Sequence, residues 1–226
     1  DLYGVEPPSA AAKLRELFYC AHQIHSHIAH FYVLAAPDFV LGPDAEPAVR
    51  NILGLIKRVG AEVGSEVIKH RSYAQRIQEI IGGKATHPVC GLPGGVSKSI
   101  SEEERSEIEA MARSCVEFGQ LSAKLFDHLV LQREDYVNLI TGDVYSSPTY
   151  YMGLVDDRNR MNFYDGTVRV IDPDGEEVAR FPAREYLRHV AEAVEPWTYL
   201  KFPYLKAKGW KGFVDGQDSG VYRVAP

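Results

Sequence analysis

Lys84 and His87 stand in the stretch Gly82-Gly83-Lys84-Ala85-Thr86-His87-Pro88-Val89-Cys90-Gly91-Leu92-Pro93-Gly94-Gly95-Val96, whose five glycines and two prolines can continue neither a helix nor a strand. An ammonium and an imidazole held at set positions on such a loop suit proton handling near neutrality, where imidazole titrates. The structural alternative is equally open at this level. Lys84 can be simply solvated, and His87 can hydrogen-bond backbone to fix the turn.

A second group of chemistry-bearing residues crowds an upstream segment: His22, His25, His27 and His30. Four imidazoles invite a metal reading. At roughly 100° per residue, however, His22, His30 and His27 spread over one side of a helix while His25 lies on the far side, so no three converge. Asp38 follows just after Pro37 and is read as the first residue of a turn. A carboxylate there acts either as a structural ion-pair partner and cap or, if buried, as a group that needs a cation or donors beside it.

The motifs of other chemistries are missing. The chain has no Gly-x-x-x-x-Gly-Lys-Ser/Thr, no Gly-x-Ser-x-Gly and no His-Glu-x-x-His, so phosphate-loop, hydrolase-elbow and zinc-protease readings lose their support. Three cysteines, Cys20, Cys90 and Cys115, without Cys-x-x-Cys spacing point to reduced structural thiols and not to a disulfide framework or thiolate metal site. A net charge of -6 argues against nucleic acid, which asks for a basic face. No apolar run is long enough for a membrane span and no signal-peptide pattern opens the chain, so a cytoplasmic protein is expected. The chain starts at Asp1 without methionine and stops at Pro226, which reads as a piece of something longer.

The elements that must position these residues are mostly helical. Ser9 is a candidate N-cap, followed by apolar residues at helical spacing from Leu14 to Ala35, which predicts a helix over about 9–36 that stops before Pro37. A second helical pattern covers about 47–81. Gly54, Gly60 and Gly64 weaken it, so two helices are expected to meet near Gly60, the second burying Val63, Val67, Tyr73, Ile77 and Ile80. Ser101-Glu102-Glu103-Glu104 is a capping box that starts a helix to about Gln132, with a stripe through Ile108, Met111, Cys115 and Phe118. Asp165-Gly166 and Asp174-Gly175 then separate alternating runs, which predicts a three-stranded antiparallel meander near 160–182 starting at Asn162-Phe163-Tyr164. A short helix is expected over about 182–194, ahead of an aromatic, lysine-rich tail with no readable element. The fold class is therefore mainly α (α+β), a long-helix bundle with a small meander, in one domain of 226 residues.

Gly82-Gly83-Lys84-x-x-His87-Pro88 followed by Gly94-Gly95-Val96, together with His27-x-x-His30-Phe31-Tyr32 leading to Asp38, resembles the large (alpha) subunit of nickel-iron hydrogenases. The similarity is greatest to the cytosolic, multi-subunit branch linked to NAD(P), a deazaflavin or heterodisulfide. Tyr150-Tyr151-Met152-Gly153 and Asn162-Phe163-Tyr164-Asp165-Gly166 extend it along nearly the whole chain.

The resemblance implies an oxidoreductase that interconverts H2 with protons and electrons. It also implies a partner, the iron-sulfur small subunit, together with a nickel-iron centre held by two cysteine pairs, Arg-x-Cys-Gly-x-Cys and Asp-Pro-Cys-x-x-Cys. Neither pair is present, so no metal ligand and no cofactor is assigned to this chain, and the resemblance makes it a central portion of the large subunit, inactive in isolation, that needs the remainder. It carries over Asp38 as the residue that orients an arginine above the metals, and Lys84 and His87 as residues on the side facing the small subunit. Two alternatives remain. One is the related quinone-binding subunit of respiratory complex I, which has no cysteine ligands; the other is a stand-alone scaffold of the same fold.

Overall fold

The computed structural model describes residues 4–214, 216 and 218–224. The chain ends, expected to be the limits of a piece, lie outside the described residues. Contacts divide the chain into two compact units, Asp1–Thr141 and Gly142–Pro226, a division that the sequence pattern had not marked. The first unit is helical and the second carries most of the strands, so the mainly α class with a small sheet holds.

The first unit begins with α1, Ser9–Ile28. Its cap is Pro8 with no side-chain hydrogen bond, and Ser9 is already helical. Where the sequence predicted a stop before Pro37, the chain runs on through a π-helical stretch, Ala29–Ala35, into α2, Ala36–Leu41. Proline is tolerated there because it falls in the first turn of a new α segment, where its missing N–H costs nothing. Asp38 is consequently helical and does not open a turn. The helix ends instead at Gly42, whose φ of 96° only glycine adopts readily.

Asn51 caps α3, Ile52–Val59, by accepting from Leu53 N at 2.9 Å and Gly54 N at 3.2 Å. Gly60 then separates α3 from α4, Ala61–Gly82, as the glycine pattern predicted. Gly83 ends α4 in the left-handed conformation with φ 75°. Two very short strands, β1 (Gly91–Leu92) and β2 (Gly95–Val96), pair antiparallel inside the glycine-rich loop. Next comes α5, Glu102–Phe126, which opens with the predicted capping box: Ser101 Oγ accepts from Glu104 N at 3.2 Å and Ser101 N donates to Glu104 Oε2 at 2.9 Å. A π turn, Asp127–Leu131, and α6, Glu134–Thr141, complete the unit.

Helix α4 packs against both α1 and α5. Ala21, Ile77, Ile80, Ile81, Ile108 and Met111 form the core between them. A second cluster joins Ile28, Tyr32, Val67 and Phe118. Val63, expected inside, is exposed, while Ala74 and Ile81, absent from the predicted stripe, are buried. The core also holds a polar lining: His70, 4% exposed, stacks on Phe118 with ring centres 4.2 Å apart and reaches Glu66 O at 2.8 Å and Ser114 Oγ at 3.0 Å. Tyr32 and Ser122 share a hydrogen bond of 2.7 Å, and burial pushes the Tyr32 phenol pKa up.

In the second unit β3 (Tyr150–Val155), β4 (Thr167–Ile171), β5 (Glu177–Pro182) and the last strand, β8 (Tyr222–Val224), form a sheet in the order β5-β4-β3-β8. β3, β4 and β5 are the predicted meander, but its first strand is Tyr150–Val155 and not 162–164. Asn162 explains the difference: its side chain accepts from Tyr164 N at 3.2 Å, and such local bonding holds the backbone in a turn. The parallel β3–β8 pair was not foreseen. The helix expected over 182–194 shrinks to α7, Tyr186–His189, because Val190–Val194 becomes β6 and pairs with β7, Lys201–Leu205. The strand partner comes from the tail, where Phe202, Trp210 and Phe213 pack ring on ring.

One ion-pair cluster on this sheet carries a pH prediction. Glu177 accepts from Arg180 and from Arg169, each at 2.8 Å, and these two guanidinium groups pull its carboxyl pKa from 4.5 down to about 2. A depressed carboxyl stabilises the folded state above its unfolded pKa, and that contribution is lost as pH falls through about 2. Glu177→Gln is expected to flatten the acid limb of the second unit's unfolding curve across this window, measured by far-ultraviolet circular dichroism in denaturant at successive pH values.

Candidate functional site

The glycine-rich loop is built from the end of α4 onward. Gly82 must be glycine, since an added Cβ would meet Pro88 Cβ at 2.8 Å and Phe18 Cε2 at 2.9 Å. Val89 N returns to Gly82 O at 3.1 Å and Ser97 N to Cys90 O at 2.9 Å, which closes the loop on itself. Pro93 and Gly94, the latter at φ 74°, form the tight turn between β1 and β2.

Arg15 of α1 then ties this hairpin to the bundle. Its Nη2 donates to Leu92 O and to Gly95 O, each at 2.7 Å, and its Nε donates to Gly95 O at 3.2 Å. The planar guanidinium presents several donors in a fixed fork, so one side chain fixes both strands. Nothing in the sequence pattern marked Arg15, because a cation beside the apolar stripe of a helix ordinarily lies in solvent.

His87 has φ 54°, a left-handed conformation that few residues other than glycine adopt. This backbone sets His87 and Pro88 over α1 and α4, where they line a cavity of about 400 Å³ together with Phe18, His22, His25 and Gln78. Lys84, three residues earlier, is exposed and makes no hydrogen bond or ion pair among the described residues. His87 therefore borders the same cavity as two helix histidines, while both it and Lys84 stay exposed. The sequence had set His25 apart from the other three helix histidines; it is the one that shares the cavity with His22, their ring centres 6.3 Å apart. His27 turns away and bonds Gln23 O at 2.8 Å.

Asp38 is not part of this cluster. It is exposed in the first turn of α2, with Arg50 Nε 3.6 Å from its Oδ1. Arg50 in turn donates to Pro43 O. The arrangement is that of a surface ion pair, which stabilises by no more than about 1 kcal/mol.

Among the described residues no three of His, Cys, Asp and Glu are placed to hold a metal ion. The thiols are scattered: Cys20 is exposed, Cys90 half-buried on the loop and Cys115 buried against His70 O at 3.8 Å. Burial pushes the Cys115 thiol pKa up, which keeps it protonated and inert. An iron-sulfur cluster asks for about four converging thiolates, and these residues do not fit one.

No protein-family model matches the chain. Over 225 residues it is 50% identical to an iron-sulfur subunit of the F420-non-reducing hydrogenase of Archaeoglobus profundus, covering 100% of this chain and 46% of that protein. Over 229 residues it is 32% identical to the beta subunit of the NAD-reducing hydrogenase HoxS of Cupriavidus necator, covering 99% and 44%. Among solved structures it is similar to an NAD+-reducing nickel-iron hydrogenase in the H2-reduced state, with a TM-score of 0.81 and 32% identity over 96% of this chain and 46% of that one. The chain spans about half the length of the curated relatives it matches.

These names correct the subunit expectation. The relative at 50% identity is named an iron-sulfur subunit, so the reading as a central portion of a large (alpha) subunit, with its nickel site, does not stand. What stands is similarity to hydrogenase subunits. The quinone-binding and scaffold alternatives gain no support from these relatives. Among the described residues no helix is long and apolar enough to cross a membrane.

Proposed function

We propose that this chain forms part of a hydrogenase subunit that works within a larger complex and exchanges electrons with H2 there. The observation that carries the reading is the 50% identity along the whole chain to a hydrogenase iron-sulfur subunit, supported by the fold shared with an NAD+-reducing nickel-iron hydrogenase. No redox centre is assigned to this chain's own residues. Its contribution is structural and positional: the α1–α4–α5 bundle holds the Arg15-anchored loop, and the loop presents Lys84 and His87 to another subunit.

Asp38 keeps a supporting role here on the sequence resemblance alone, and its exposed pairing with Arg50 makes the role separable from folding. In the assembled complex, Asp38→Ala is expected to lower H2-dependent dye reduction about tenfold while the unfolding midpoint hardly moves, since an exposed ion pair contributes little. Unchanged turnover would return Asp38 to a purely structural pair. The reading as a whole is tested by purifying H2-dependent dye-reducing activity from cells that produce the protein. A polypeptide containing this sequence is expected to copurify in fixed proportion, and activity that separates from it overturns the proposal.

A further inference from the structure

The turn that joins β6 to β7 and the stretch that follows β7 carry an aromatic cluster that the described residues leave uncovered. Phe202 is its centre: the Trp197 ring lies 5.8 Å away, Trp210 stacks on it at 5.9 Å and Phe213 meets it edge-on at 4.7 Å between ring centres. Trp210 and Phe213 close the group at 5.2 Å. Its outer members are open to solvent. Trp197 is 67% exposed and Phe213 60%, and Tyr199, two residues beyond Trp197 in the same turn, is 94% exposed. Val194, Leu200 and Val214, next to them in the chain, add exposed aliphatic surface. Contiguous apolar surface of this kind is uncommon on a protein that works alone.

Charge does not account for it. Lys201 pairs with Glu192 at 3.3 Å, Lys206 donates to Leu187 O, and the Lys208 ammonium lies 5.2 Å from the centre of the Tyr150 ring. Trp210 commits its one donor to Glu195 Oε1 at 2.8 Å. Of the cations within 194–214, only Lys211 has no partner among the described residues. A nucleic acid or an anionic lipid surface asks for several free basic groups, and a single lysine does not supply them. What is left for recognition is aromatic contact, the chemistry at the centre of a polypeptide interface, where Trp, Tyr and Phe are enriched and charge is depleted.

The relatives say which polypeptide. The Archaeoglobus profundus subunit matches 100% of this chain, the aromatic stretch included, yet the match fills only 46% of that protein, and the match to the solved NAD+-reducing hydrogenase chain likewise fills 46% of it. More than half of each relative therefore lies outside the part that corresponds to this chain. A contact without charge steering is slow to form between separate molecules, whereas a segment of the same polypeptide is already present at high local concentration.

We propose that the surface formed by Trp197, Tyr199, Phe202 and Phe213 is the seat of a portion of the same subunit polypeptide that lies outside this chain, which covers it with an apolar face. The inference rests on the reading of this chain as part of a longer hydrogenase subunit. The exposed rings are its anchors, and the Lys201–Glu192 pair belongs to its polar rim.

The test uses the full-length subunit purified from the cells that produce it. Hydroxyl-radical footprinting compares side-chain oxidation in the native and the denatured subunit. Trp197, Tyr199 and Phe213 are expected to lose most of their oxidation in the native state. Oxidation at the denatured level would show the surface open and overturn the proposal. Tyr199→p-benzoylphenylalanine, which keeps an aromatic ring at an exposed position, then identifies the cover by photo-crosslinking and mass spectrometry. Crosslinks are expected within one polypeptide of monomer mass, to residues outside this chain. Crosslinks to residues of this chain, to a second copy or to a different subunit would each overturn the proposal. Neither readout depends on turnover. A subunit that crosslinks as expected but separates from H2-dependent activity fails only the functional reading, and one that copurifies with activity but crosslinks elsewhere fails only the present one.

Discussion

Arg15→Leu is expected to release the Gly91–Val96 hairpin from the bundle while the bundle itself stays folded. Three donor contacts from one guanidinium hold the carbonyls of Leu92 and Gly95, and a leucine keeps the apolar stem while removing every donor. Hydrogen bonds from a charged donor contribute about 1.5–3 kcal/mol, and partial exposure places the sum here near about 2 kcal/mol. That corresponds to roughly 30-fold faster amide exchange at β1 and β2, with little change in α1 and α4. Lysine should rescue only weakly, because a single ammonium does not reproduce the fork that spans both strands. On the proposed role of the loop in presenting Lys84 and His87 to another subunit, the same substitution should weaken that hold in the assembled complex. Normal exchange at Gly95 and Val96 would show that the two-stranded turn is self-supporting.

Ile77→Ala is expected to have the largest effect on the stability of the helical unit. Ile77 is 1% exposed and sits among Ala21, Ile80, Ile81, Ile108 and Met111, where three helices meet. Truncation there removes apolar contact and leaves a cavity that the flanking helices can close only in part. The cost for such sites is about 2–5 kcal/mol, and a central position favours a value near about 3 kcal/mol. Ile77→Val should cost only about 1 kcal/mol. The check is the denaturant midpoint at unchanged slope, and a loss below that of Ile77→Val would place the mechanical centre of the unit elsewhere.

Much of this architecture was legible in the residues, and the failures have identifiable causes. The capping box at Ser101, the break at Gly60 and the stop at Gly83 were readable because each rests on local backbone chemistry. The strand Val190–Val194 was not, because its hydrogen-bond partner lies in a tail whose aromatic residues cluster only through tertiary contact. Val63 and Ala74 exchanged places relative to the expected stripe, since α4 has to face both α1 and α5 and no single apolar face describes it. In the site, Lys84 and His87 were legible as an exposed pair on a loop, but not that the positive φ of His87 sets it at the rim of a cavity that Lys84 does not line. Gln78 gave no signal at all. A glutamine in a helix pattern reads as surface until the packing buries it.

The π-helical stretch Ala29–Ala35 has a consequence for how this long helical segment can change over time. A π turn takes up more residues than an α turn, so α2 leaves it rotated relative to the phase that α1 would have dictated. The histidine face of α1 and the Asp38–Arg50 pair on α2 thus follow two helical phases, and Tyr32, buried on Phe118 and bonded to Ser122, fixes where one passes into the other. Loss of one residue within 29–35 would have to move Tyr32 from that seat or turn Asp38 away from Arg50, so the length of this stretch is held from both ends.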